Sequence, residues 1–181
     1  LRLDAEPPAE WGDRLSLQGV FKQPLWSRHA GQWAEWEGQA YADFARVDLA
    51  HLGRYVDLGV QLTQGTGALR AWVDVARGTP TGATADVSMT AVRLTTDPTL
   101  EPLALASVSG RLGAKAVPGG TEFRTEALQF ETQDGLRWPG GNVRLQMLAA
   151  QGKEPERGEL AADRLDLAAL AQIAGRLPLE D

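Results

Sequence analysis

Residues 38–52 read Gly-Gln-Ala-Tyr-Ala-Asp-Phe-Ala-Arg-Val-Asp-Leu-Ala-His-Leu, and residues 158–170 read Gly-Glu-Leu-Ala-Ala-Asp-Arg-Leu-Asp-Leu-Ala-Ala-Leu. Both contain the phrase (Val or Leu)-Asp-Leu-Ala-x-Leu, preceded by a glycine and by alternating apolar and polar residues. Alternation with period two predicts a half-buried strand. Asp48 and Asp166 can accept hydrogen bonds from the first turn of a helix, so we expect both to be helix caps. The repeated phrase therefore predicts two strand–helix units in a modular array.

The chain between these two units predicts an antiparallel meander. Runs with period-two alternation, such as residues 69–76, 83–94 and 143–149, are separated by segments rich in Gly, Pro and Asp. Turns are expected at 78–82, 118–120 and 133–135. The fold class expected is mainly β: a long, twisted, curled antiparallel sheet (a meander of about eight strands) with two short helices.

The expected organisation of the chain has four segments. Residues 1–34 form a lead-in strand and a tryptophan-rich connection, 35–58 the first strand–helix unit, 59–157 the meander, and 158–181 the second unit. The first helix is expected at about 48–57 and the second from Asp166 to Pro178. The chain begins with Leu1, so we expect one continuous domain excised from a longer protein.

Composition excludes several classes of function. A net charge of -6 with only 18 Lys and Arg residues argues against nucleic acid as a partner, because phosphate backbones require a basic surface. No apolar run approaches the roughly 20 residues of a membrane-spanning helix, so membrane contact is expected only through parts of the protein outside this sequence. The absence of cysteine excludes disulfides and thiolate chemistry.

Catalytic and metal-binding signatures are weak throughout the sequence. The only histidines are His29 and His51, and the neighbouring Ser27 lacks the third partner and oxyanion hole of a hydrolase. Paired carboxylates such as Glu35 and Glu37 are typical of a solvated strand face. We therefore expect no enzyme activity, no cofactor and no metal site.

The predicted sheet has an apolar face that two short helices are too few to bury. The sheet could close on itself, pack on neighbouring repeats or keep the face open for an apolar ligand, and the patterns leave these alternatives open. The same-parity aliphatic residues that would line an open groove are Leu69, Ala71, Val73, Val75, Ala85, Val87, Met89, Leu103, Leu105, Val143, Leu145 and Met147.

A carbohydrate-binding surface is a weaker alternative. Aromatic rings offer flat apolar faces on which sugars stack. The tryptophans considered for this role are Trp26, Trp33, Trp36, Trp72 and Trp138, although packing in the core or at the sheet edges is the simpler role for them.

Four phrases, at residues 41–49, 67–74, 158–167 and 175–179, resemble the AsmA-like family, and within it the YhdP-type proteins of Gram-negative bacteria. The resemblance covers most of residues 35–179. It implies an inner-membrane anchor, a long periplasmic β-structure and a repeating β-groove similar to that of bridge-like lipid transfer proteins. Phospholipid tails would cross towards the outer membrane in this groove. It therefore implies phospholipid and neighbouring repeats as partners, a periplasmic location and a role in outer membrane biogenesis; a structural or interaction scaffold remains the alternative.

Overall fold

The computed structural model of the chain describes residues 2–5, 13, 15–22, 33–52, 61–95, 99–150 and 157–173. The strands are β1 (Arg2–Ala5), β2 (Leu15–Lys22), β3 (Glu37–Asp48), β4 (Gln61–Ala76), β5 (Thr79–Thr95), β6 (Leu103–Val117), β7 (Gly120–Thr132), β8 (Arg137–Trp138), β9 (Val143–Leu148) and β10 (Arg157–Ala162). The α-helices are α1 (Leu49–Leu52) and α2 (Leu167–Ile173), and a 3-10 turn covers Trp33–Glu35.

All these strands belong to one antiparallel sheet whose order follows the chain. Neighbours run from β1 through β7 to β9 and β10, while β8 pairs with β7 beside β9. The first and last described strands, β1 and β10, do not pair with each other, so the described sheet is open rather than closed. The predicted fold class, a mainly β antiparallel meander with two short helices, is confirmed. Within the described residues the sheet has ten strands rather than about eight, because β1 lies in the expected lead-in and β8 is a two-residue strand.

The central hairpin is the longest element of the fold. Strands β4 and β5 contain 16 and 17 residues, which at about 3.3 Å per residue makes each about 50 Å long. Their turn is Arg77–Gly78, with φ angles of 51° and 72°, as in a type I′ turn. The expected turn at 78–82 was wrong, because Pro80 and Gly82 lie inside β5. A register shift between Asp74 and Val75 marks an irregularity opposite Pro80, which has no N–H to donate.

Local irregularities decide which residues share a face. Ala127 has a φ of 49°, and the β6–β7 register shifts between Ser109 and Arg111 beside it. This bulge reverses the alternation along β7, so Phe123 before it and Phe130 after it point to the same face although their parity differs. The uneven alternation of β7 in the sequence therefore has a structural cause.

Cross-strand register separates the sheet into two chemically different faces, because directly opposed residues project to the same side. We call one side the apolar face. It contains the row Gly19, Ala40, Val73, Ala83, Ala114, Phe123, Leu145 and Leu160, and the adjacent row Leu17, Ala42, Ala71, Ala85, Leu112, Thr125, Val143 and Ala162. The other side, the polar face, contains the in-register series Asp43, Arg70, Asp86, Arg111 and Glu126, whose charges alternate in sign.

Both helices begin at an aspartate. The Asp48 Oδ1 atom accepts a hydrogen bond from the Ala50 N–H (2.8 Å), and the Asp166 Oδ1 atom accepts one from the Ala169 N–H (3.0 Å). Each bond satisfies a donor of the first helical turn. The strand before α2 ends at Ala162 rather than running into the helix, which corrects the expected strand–helix junction. After Ala162, the Asp163 carboxylate accepts hydrogen bonds from the backbone N–H and the side-chain amide of Asn142, both at 2.8 Å.

The expected helix ends lie partly beyond what the structure describes, since residues 53–60 and 174–181 are outside the described ranges. Within those ranges, α1 and α2 cover one end of the apolar face. Leu49 of α1 and Ile173 of α2 join a buried cluster with Val47, Met89, Val92, Leu103 and Leu105. We call this the helix end of the sheet. The opposite end, which holds the turns 77–78 and 118–119, is the turn end.

Candidate functional site

The register, together with the buried cluster shared by Met89, Leu103 and Leu105, places all twelve predicted groove residues on the apolar face, where they fall into two groups. Met89, Leu103 and Leu105 are buried in the cluster beneath the helices, and Val75 is buried near the turn end. The other eight are at least partly exposed: Leu69, Ala71, Val73, Ala85, Val87, Val143, Leu145 and Met147. Only this second group offers side-chain surface to a ligand.

The two rows that define the apolar face form its open section. Several large side chains there are solvent-exposed, including Leu112 (38%), Phe123 (45%), Met147 just beyond the rows (52%) and Leu160 (58%). Neighbouring exposed apolar side chains of this kind are typical of binding surfaces. The open section carries no charged side chain across the eight strands from β2 to β10, excluding β8.

Side-chain size varies across the open section. On β3, β4 and β5 the second row carries only Ala42, Ala71 and Ala85, whereas β2 and β6 present Leu17 and Leu112 on either side. Strands lie about 4.8 Å apart, so these two leucines are separated by about 19 Å along the sheet. Short side chains between long ones lower the surface over β3, β4 and β5 and form a shallow depression between the two leucines.

Sequence reasoning missed Leu17, Leu112, Phe123 and Leu160 as members of this surface. Period-two parity would have identified Leu112, because it shares one face of β6 with Ala114 and Ala116. Phe123 was obscured by the Ala127 bulge, which breaks the parity within β7.

The polar face is held by cross-strand pairing. Arg111 donates two hydrogen bonds to the Asp86 carboxylate, at 2.6 and 2.9 Å, and these bonds lower the pKa of Asp86. The same guanidinium lies 5.8 Å from the ring centre of Trp72, which packs against Tyr41. Desolvation, with a hydrogen bond donated to Asp43, raises the pKa of Tyr41. Charged side chains on this face are therefore paired across strands, as is typical of a solvent-exposed surface.

The tryptophans described in full do not form a shared platform. Trp72 lies on the polar face, Trp36 packs on Phe21 near the turn end with ring centres 5.4 Å apart, and Trp138 is buried against Phe130 near the helix end. Trp26 and the side chain of Trp33 lie outside the described part of the chain. A sugar-stacking surface built from Trp36, Trp72 and Trp138 is therefore ruled out by their separation.

Ionisable groups in the described ranges do not converge on a reactive centre. The His51 Nδ1 atom lies 3.8 Å from the Asp48 Oδ2 atom, beside the cap of α1, while Ser27 and His29 lie outside those ranges. No group of three or more His, Cys, Asp or Glu side chains is placed to hold a metal ion within the described residues. Among the described helices, none is long and apolar enough to cross a membrane.

Comparison with known proteins gives a match at the level of the family. No curated protein and no solved structure is significantly similar to the chain. A family model described as "YhdP protein" matches residues 6–181, which is nearly the whole sequence. The resemblance noted from the repeated phrases is thereby confirmed, and the chain belongs to the YhdP protein family.

Proposed function

We propose that this chain is a lipid-conducting segment of a periplasmic protein, and that it holds the acyl tails of phospholipids against the open section of the apolar face. The observation that carries the proposal is the continuity of that section, which crosses eight strands without a charged residue. Membership of the YhdP family fits a protein related to lipid transport in the cell envelope and fits a non-enzymatic role.

The direction of movement follows from where the face is covered. At the helix end, Leu49 and Ile173 pack on the sheet, so a tail that lay along the strands would meet this buried cluster. A bound tail therefore lies across the strands, along the rows. Each methylene removed from water contributes about 0.8 kcal/mol. Because the rows carry no charged side chain, this contribution changes little as the tail slides, so the surface retains a lipid without fixing it at one place.

The conduit continues, under this proposal, into neighbouring repeats of a longer protein anchored in the inner membrane. The described sheet has open edges at β1 and β10, and an open edge can pair with a further strand. The transported lipid would thereby pass between the inner and outer membranes.

A structural scaffold is the second candidate. Every residue of β10 is exposed, including Leu160, which favours a partner or further repeat covering this edge. In that case the apolar face would be an interface between protein segments, with no lipid on it.

Photo-crosslinking separates these two functions. The chain is incubated with vesicles that contain a phospholipid with a photoreactive group near the end of one tail, irradiated and digested. We expect the labelled peptides to contain Leu112, Phe123 or Leu145, whereas Trp72 on the polar face serves as the internal control and remains unlabelled. Labelling spread equally over both faces, or absent from the open section, would contradict the lipid-conducting function.

A further inference from the structure

A cavity of about 360 Å³ lies beside the loop 139–142, which connects β8 to β9. The part of β7 that also lines it, residues 127–129, pairs with neither β8 nor β9 in the register. None of the residues lining the cavity belongs to the two rows of the open section. Its volume is at the lower end of the range for small-molecule sites. The cavity is therefore a candidate site separate from the proposed lipid surface.

Hydrogen bonds hold the walls of this cavity in place. The Asn142 Oδ1 atom accepts a bond from the Ala127 N–H (2.9 Å), and the Gly141 carbonyl oxygen accepts one from the Leu128 N–H (3.2 Å). On the opposite side, the Asp163 carboxylate accepts both bonds from Asn142 described above. The loop is thus tied to β7 and to the end of β10, so the cavity exists before any ligand binds.

Two glycines keep the cavity open. Gly140 and Gly141 have φ angles of 107° and 154°, which favour glycine. A Cβ atom at Gly140 would lie 3.3 Å from the Gln129 Cγ atom. A Cβ atom at Gly141 would lie 3.3 Å from both the Asp163 Oδ1 atom and the Arg164 carbonyl oxygen. Side chains at these two positions would therefore crowd the lining residues and take up space that a ligand can use.

Two opposite charges line the cavity, and within the described residues neither has a counterion. Asp163 and Arg164 are consecutive and exposed, yet they form no ion pair with each other or with another residue of that part of the chain. The two bonds from Asn142 come from neutral donors and occupy two of about four acceptor positions on the Asp163 carboxylate. The carboxylate and the guanidinium can therefore both bind charged groups of a ligand.

We propose that this cavity binds a small zwitterion, a free amino acid or dipeptide, with its ammonium group at Asp163 and its carboxylate at Arg164. The guanidinium fork can bond both oxygens of a carboxylate. A ligand with a single charge would meet a like charge in the same cavity, Asp163 for an anion and Arg164 for a cation, so the balance of charge favours a zwitterion. The Gln129 amide lines the same cavity and supplies a neutral donor and acceptor for a peptide group.

The test compares three dipeptides in calorimetric titrations of the 181-residue chain. Alanyl-alanine carries both charges, N-acetyl-alanyl-alanine lacks the ammonium group, and alanyl-alanine amide lacks the carboxylate. We expect each blocked dipeptide to bind about ten-fold more weakly than alanyl-alanine, which corresponds to about 1.4 kcal/mol.

Arg164→Gln separates the two charged contacts. Arg164 makes no side-chain hydrogen bond or ion pair in the described ranges, so the fold should not depend on its charge. The variant should bind alanyl-alanine and its amide equally, and should still prefer the free ammonium group to the acetylated one. Arg157→Gln removes an exposed arginine from the other end of β10 and should behave as the original chain.

Three results would overturn this inference. Equal affinity of the original chain for the three dipeptides would show that the charges are not recognised. An Arg164→Gln variant that still prefers alanyl-alanine to its amide would remove the guanidinium from the site. Absence of alanyl-alanine binding at millimolar concentration would remove the site altogether. None of these results bears on the lipid-conducting function, which depends on other residues.

Discussion

Two leucines on the same strand provide a direct test of where the apolar face is closed and where it is open. Leu105 is 4% exposed in the cluster under the helices, whereas Leu112, seven residues later on β6, is 38% exposed in the open section. Truncating a buried leucine to alanine removes its burial and leaves a cavity, which typically costs 2–5 kcal/mol. We expect Leu105→Ala to cost about 3 kcal/mol and Leu112→Ala to cost less than about 1 kcal/mol, because water can fill the space beside an exposed side chain.

Urea unfolding followed by tryptophan fluorescence measures both free energies of unfolding. Trp138 is buried on the same side of the sheet as Leu105 and reports the loss of its surroundings. The two substitutions should affect lipid binding in the opposite order. Leu112→Ala should weaken lipid binding, whereas the folded fraction of Leu105→Ala should still bind lipid. Equal destabilisation by the two substitutions would refute the division of the apolar face into a closed helix end and an open section.

Three further predictions concern single elements of the fold. Ala127→Gly should stabilise the chain by about 0.5–1 kcal/mol because it relieves a left-handed backbone conformation, whereas Ala85→Gly, in regular strand, should destabilise it by a similar amount in the same urea assay. Asp166→Ala removes the acceptor of the Ala169 N–H bond and should cost about 0.5–2 kcal/mol; an unchanged melting temperature would argue against that bond as a cap. Arg111 lowers the pKa of Asp86, so the pair should stabilise the fold above the ordinary aspartate pKa of 3.8 and lose that contribution as the pH falls through the lowered pKa. Asp86→Asn should flatten this acid dependence in melts between pH 2 and pH 5, and an unaltered slope would contradict the pairing.

The separation of apolar and polar residues was predictable because period-two alternation states directly which residues share a face. Leu69, Ala71 and Val73 could be assigned together in this way, and the register supports that assignment. The same parity places Trp72 with Arg70 and Asp74, so its position on the polar face was present in the pattern although its bulk suggested core packing.

The bulges were beyond the reach of sequence patterns. Ala91 and Ala127 adopt left-handed conformations, and alanine gives no signal for such a conformation as glycine or asparagine would. The turn at Arg77–Gly78 was displaced in the prediction for a related reason, because Pro80 and Gly82 are stronger turn formers than arginine. Tertiary contacts to Trp36 and the register of β4 with β5 decide the position of this turn.

The sequence predicted only part of how the two helices pack on the sheet. The two aspartates indicated where the helices begin, but the sequence did not show that Leu49 and Ile173 would join one cluster at the same end of the sheet. That placement is set by packing between parts of the chain that are distant in sequence.

Native mass spectrometry of the purified chain, combined with extraction of bound lipid from the same sample, tests the lipid-conducting role most directly. Leu145→Asp places a charge in the open section, and the matched control Val20→Asp places the same charge on the polar face, where Val20 is 72% exposed. The account predicts that phospholipid co-purifies with the original chain and with Val20→Asp, and that Leu145→Asp is folded and free of lipid. A chain that stays free of lipid after incubation with phospholipid vesicles, or a folded Leu145→Asp variant that retains its lipid, would contradict it.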